Sequence, residues 1–95
     1  MTTGYEDRVE TATQIAIENV KRNAYDTVDA CVDAYGNQNN QTKIKDLIME
    51  DVMDAIHDAC YGKQNYIDEI IDNELEDIIE VATIEFYEYL KQQLN

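Results

Sequence analysis

The stretch Ile67-Asp68-Glu69-Ile70-Ile71-Asp72-Asn73-Glu74-Leu75-Glu76-Asp77-Ile78-Ile79-Glu80-Val81-Ala82-Thr83-Ile84-Glu85-Phe86-Tyr87-Glu88-Tyr89 decides the fold. Ile67, Ile70, Ile71, Leu75, Ile78, Ile79, Ala82, Phe86 and Tyr89 recur at steps of three and four, the spacing of one helix face and not of a strand. No glycine or proline interrupts the run, so a helix is predicted from about Asn65, as N-cap, to Gln93, with Asp68 and Glu69 in its opening turn. The apolar stripe is broad enough to touch two other helices or a second subunit, so a homodimer through this helix is a secondary expectation.

Working outward, the two preceding segments carry the same periodicity. Val9, Ala12, Ala16, Val20, Ala24, Val28, Cys31 and Tyr35 share one face of a first helix, predicted from Tyr5 to Tyr35 and ended by Gly36. Asn37-Gln38-Asn39-Asn40-Gln41 reads as a polar loop. Ile44, Leu47, Ile48, Val52, Ala55, Ile56 and Ala59 form the stripe of a second helix, predicted from an N-cap at Thr42 to Tyr61 and ended by Gly62. The expected fold is all-α, an antiparallel three-helix bundle with long first and third helices, in a single domain spanning residues 1–95. An echo between Asp26–Asn39 and Asp51–Asn65 is one near-repeat, and a solenoid needs at least about three.

Composition narrows the function classes. Apolar residues make up 44% of 95 positions, within the globular range. Twenty-one acidic residues face seven basic ones, a formal charge of −14. Solubility of a small domain needs a net charge of only about 2–8. Direct binding to nucleic acid or to an anionic membrane through a basic patch is therefore disfavoured, and a cationic partner is favoured. Nothing reads as a signal peptide, a transit sequence or a membrane span, so a cytoplasmic setting is expected. Cys31 and Cys60 have no metal-ligand spacing and sit among alanines, which predicts buried free thiols.

The acids are ordered in rows. Asp26, Asp29 and Asp33 fall at i, i+3, i+7 on the first helix, opposite its apolar stripe, and Asp51, Asp54 and Asp58 repeat that spacing on the second. On the third, Glu69, Asp72, Glu76 and Glu80 form an outward row flanked by Glu74, Asp77, Glu85 and Glu88. No basic residue lies between Lys63 and Lys91. A solvated helix face ordinarily mixes Glu with Lys, since like charges at i, i+4 cost a few tenths of a kcal/mol each. Nine acids from Asp68 to Glu88 span about 30 Å of helix, or one per roughly 3.3 Å. One DNA strand carries a phosphate per about 3.4 Å.

These rows predict a non-enzymatic inhibitor or interaction protein that mimics a nucleic-acid backbone and blocks the basic groove of a nucleic-acid-binding protein. In type, though not in any motif, it resembles the small acidic phage proteins that inhibit restriction or CRISPR enzymes. Tyr66 and Tyr87, off the main stripes, join the acids as candidate contacts. A generic acidic adaptor is the alternative. A third reading is enzymatic: Asp26-x-x-Asp29 and Asp51-x-x-Asp54 resemble the paired acids with which all-α nucleotide pyrophosphohydrolases of the MazG kind hold Mg²⁺. That family uses glutamates predominantly, and the likeness covers four residues. His57, the only histidine, falls opposite the second stripe and is expected at the surface. No nucleophile-base pair, glycine-rich phosphate loop or zinc spacing is present, and no cofactor is expected.

Overall fold

The computed structural model describes the backbone of residues 4–26 and 38–94 and the side chains of residues 4–23 and 45–92. Three helices occupy these residues: α1 (Gly4–Asp26), α2 (Gln38–Ala59) and α3 (Gln64–Leu94). The expected extension of the first helix to Tyr35, its stop at Gly36, and Cys31 lie outside the described residues.

Polar and ring contacts fix the topology. Asn23 of α1 meets Asp51 of α2, whereas Arg8 and Thr11 share a cleft with Ala59, so α1 and α2 are antiparallel. Arg8 reaches Glu69 and Lys21 reaches Glu85, so α1 and α3 run parallel. This is the up-down-up bundle expected from the periodicity.

The core has a specific pitch. The fully buried positions include Ala12, Ala16 and Val20 on α1, Ile48, Val52, Ile56 and Cys60 on α2, and Ile78, Ala82, Phe86 and Leu90 on α3. Each ladder steps by four. Four residues advance about 40° past a full turn, so each buried stripe slants around its helix. Such i±4n rows are the ridges that interdigitate in the commonest class of helix packing. The slant also explains the breadth of the α3 stripe. From Ile78 to Leu90 the buried face rotates by about 120°, and the exposed face rotates with it. The outward ridge of α3 therefore follows Asp72, Glu76, Glu80, Ile84 and Glu88. Ile84 is 51% exposed and Val81 39%.

Three boundaries differ from the sequence expectation. Helix α2 begins at Gln38, so the segment 38–41 is helical and Thr42 lies inside the helix instead of capping it. Glutamine is a good helix former and asparagine only a weak breaker, and lengthening an existing helix gains one hydrogen bond per residue ordered. Helix α3 begins at Gln64. The Lys63 carbonyl accepts from the Tyr66 and Ile67 amides at 3.1 Å each, which puts Lys63, and not Asn65, at the cap. Asp68 and Glu69 consequently fall beyond the first turn.

Helix α2 stops at Ala59, before Tyr61, and the stop is built around Tyr61. The Tyr61 amide donates to the Asp58 carbonyl at 3.2 Å and the Gly62 amide to the His57 carbonyl at 3.1 Å. This pair of bonds defines a Schellman motif, whose left-handed residue is usually glycine. Here Tyr61 takes it at φ 55°, followed by Gly62 at φ 73°. A non-glycine residue there is strained by about 1–2 kcal/mol. Tyr61→Gly is expected to raise stability by about 0.5–1 kcal/mol, the relief exceeding the added chain entropy of the unfolded state. Gly62→Ala, whose new Cβ meets nothing within 4 Å, is expected to lower it by about 1 kcal/mol through backbone strain alone. Urea midpoints read both, and a loss on Tyr61→Gly would show that the exposed ring contributes more than its backbone costs.

Candidate functional site: the acidic faces and the cleft beside Asp51

On α3 the row predicted from sequence is outward. Glu69, Asp72, Glu76, Asp77 and Glu80 are all exposed. The bare appearance of this helix is tempered in three dimensions, because α1 supplies cations that α3 lacks. Arg8 lies 4.0 Å from Glu69 and Lys21 3.5 Å from Glu85. Glu74 is engaged as well, since the Tyr5 hydroxyl donates to its Oε1 at 3.0 Å. Among the described residues, no cation pairs with Asp72, Glu76, Asp77 or Glu80. These four are the uncompensated part of the row.

On α2 the row divides. Asp54 and Asp58 are exposed. Asp51 is not: it is 6% exposed, which corrects its assignment to an outward face. Its position explains this. Asp51 directly precedes Val52 and lies one turn before Ala55, so it stands at the edge of the apolar stripe, where α1 covers it. The Asn23 Nδ2 donates to Asp51 Oδ1 at 2.6 Å, and the Asn19 side-chain amide approaches the Asp51 carbonyl at 3.4 Å. Among the described residues, Oδ2 has no hydrogen-bond partner. Burial pushes the Asp51 carboxyl above its ordinary range. The neighbouring charges of Asp54 and Glu50 add to the rise, and the Asn23 bond and the Arg22 guanidinium oppose it.

Asp51 helps to line a cleft of about 600 Å³ between α1 and α2, with Asn19, Arg22 and Asn23 on one wall and Met53, Asp54, His57 and Asp58 on the other. His57 is exposed, as expected. Sequence reasoning missed this cleft, because nothing along the chain links Asn19 and Asn23 to Asp51. The pairing of Asp51 with Asp54, read as a Mg²⁺ motif, joins a buried carboxylate to an exposed one. Among the described residues, no three acidic, histidine or cysteine side chains converge on a common metal position. On α1, Asp26 lies within the described backbone but its side chain does not, and Asp29 and Asp33 lie wholly outside the described residues.

The two tyrosines offered as contacts are partly buried against the core. Arg8 stacks its guanidinium 3.8 Å from the Tyr66 ring centre, and Lys63 lies 5.5 Å away. Tyr87 meets Phe86 edge-on at 5.6 Å. Both rings therefore belong to the rim of the core, which corrects their placement away from the apolar stripes. Among the described residues, Tyr61, at 87% exposure, is the aromatic ring presented to solvent. The slant of the α3 stripe carries positions near Tyr87 inward, and a straight-stripe reading misplaces them. Cys60 is a buried free thiol, as expected, and burial pushes its pKa up.

No helix among the described residues is long and apolar enough to cross a membrane. No protein-family model, curated protein or solved structure matches this chain.

Proposed function

We propose that this protein is a non-enzymatic inhibitor that places its acidic faces in the basic groove of a nucleic-acid-binding protein, as a mimic of the phosphate backbone. The observation that carries the reading is the uncompensated ridge Asp72, Glu76, Asp77 and Glu80 on the outward side of α3. Like charges one helical turn apart repel by a few tenths of a kcal/mol per pair, and a fold that needed only solubility would be expected to intersperse lysines. Cations of a partner would relieve that repulsion. The partner in this reading is a basic, intracellular protein, of the kind blocked by anti-restriction or anti-CRISPR inhibitors. Asp54 and Asp58 on α2 extend the acidic surface to a second face.

The test is a fourfold neutralisation, Asp72→Asn, Glu76→Gln, Asp77→Asn and Glu80→Gln, which leaves the Arg8–Glu69 and Lys21–Glu85 pairs intact. A partner captured from cell extract on the immobilised protein is eluted with salt, identified, and titrated with both chains. The variant is expected to bind about fourfold to several-hundredfold more weakly, from about 0.2–1 kcal/mol for each lost pair. Its affinity should also fall less steeply with ionic strength, and duplex nucleic acid should displace the native chain. A partner whose binding ignores salt, or which nucleic acid fails to displace, would sink the reading.

A further inference from the structure

The cleft between α1 and α2 has features that an acidic surface alone does not. Its lining includes a carboxylate that the fold has buried without fully satisfying. Asp51 is more than nine-tenths buried, Asn23 bonds one of its oxygens, and the other has no donor among the described residues. Leaving a buried acceptor unpaired costs about 1–3 kcal/mol, more if it is charged. Asp54 and Asp58 stand on the same wall. Arg22 lines the opposite wall, yet it makes no ion pair with any of the three. Three carboxylates against one guanidinium and one imidazole leave the cleft net negative.

We infer that this cleft receives a guanidinium group, with Asp51 as its buried acceptor and Asp54 and Asp58 closing around it. The assignment rests on the preceding reading, because the guanidinium is that of an arginine side chain on the basic partner. The chemistry selects it over other occupants. A planar guanidinium offers five donors in a fixed fork and suits several carboxylate oxygens at once. An anion would meet the three carboxylates. A compact metal ion finds no three converging ligands among the described residues. A small rotation of the Asp51 carboxylate, which opens Oδ2 to the cleft, would let the arginine supply the donor that this oxygen lacks, in a setting that strengthens charge-assisted hydrogen bonds.

The experiment is an NMR titration of the ¹⁵N-labelled chain with N-acetyl-arginine methylamide, run beside N-acetyl-lysine methylamide and inorganic phosphate. Saturable shifts are expected at the amides of Asn19, Asn23, Asp54 and His57, larger with the arginine probe than with lysine. Asp51→Asn should weaken binding by about tenfold or more. Asp54→Asn, at an exposed position that leaves packing untouched, should weaken it too and keeps the test informative if Asp51→Asn perturbs the fold. The fourfold α3 variant should bind the probe as the native chain does. Shifts confined to α3, tighter binding of phosphate, or unchanged affinity in both aspartate variants would overturn the inference. If the arginine probe fails while salt-sensitive partner capture persists, the cleft falls and the ridge stands. If capture fails while the probe binds, the ridge falls and the cleft stands as a guanidinium site.

Discussion

Phe86→Ala is expected to destabilise the protein by about 3–5 kcal/mol, the range for a buried phenylalanine truncated in a core. Phe86 is the largest fully buried side chain among the described residues, on the α3 ladder between Ala82 and Leu90. It also loses its edge-on contact with Tyr87. A domain of this length has a total stability of roughly 5–14 kcal/mol, so the substitution removes a large share of it. With a urea dependence of about 1–3 kcal/mol per M, the unfolding midpoint should fall by about 1–5 M. Ile84→Ala, two residues away on the exposed ridge, should change stability by no more than about 0.5 kcal/mol. The contrast tests the slanted stripe directly. Comparable losses at the two positions would mean that α3 faces its neighbours through a straight stripe, with Ile84 in the core.

The helical class and the up-down-up order were legible because hydrophobic periodicity and glycine positions are local properties, written along the chain. The core residues Ala12, Ala16, Val20, Ile48, Val52, Ile56, Ile78, Ala82 and Phe86 were all readable from spacing. Leu90 was not, since only the continued four-residue step carries it inward. The exposed acids of α3 were legible for the same reason. The cation pairs from Arg8 and Lys21 were not, because they arise from the parallel packing of α1 on α3. Tyr61 was legible only as the last residue of the second helix, whereas its backbone supplies the left-handed turn and its ring stays outside.

Asp51 marks the point where a one-dimensional pattern gives way to tertiary contact. Its i, i+3, i+7 spacing with Asp54 and Asp58 is the same as on an exposed helix face, but α1 covers the first member and leaves the others free. The consequence is a pH-dependent stability of definite sign. Burial raises the Asp51 pKa in the folded state, so between its unfolded and folded values the native chain holds more proton than the unfolded one. Stability must then fall as pH rises through that window. The contribution is fully present below the unfolded value of about 3.9 and is lost above the raised folded value. The self-repulsion of a chain of net charge −14 acts in the same direction, so the Asp51 part is read as a difference between two chains. Asp51→Asn keeps an oxygen to accept from Asn23 and removes the buried charge. Its amide nitrogen takes the place of Oδ2 and still lacks a partner, but that group is now neutral, so the protein is expected to gain about 1 kcal/mol at neutral pH, the excess cost of leaving a charged rather than a neutral buried group unsatisfied. The gain should shrink toward pH 4, so that melting curves of the two chains converge on acidification. Parallel curves, or a destabilised variant at neutral pH, would show that the fold requires the ionised carboxylate. The same pair of chains separates stability from binding. A guanidinium that satisfies Asp51 should raise the melting temperature of the native chain through linkage while leaving Asp51→Asn nearly unmoved. The substitution that strengthens the free protein is thus the one expected to weaken its hold on arginine.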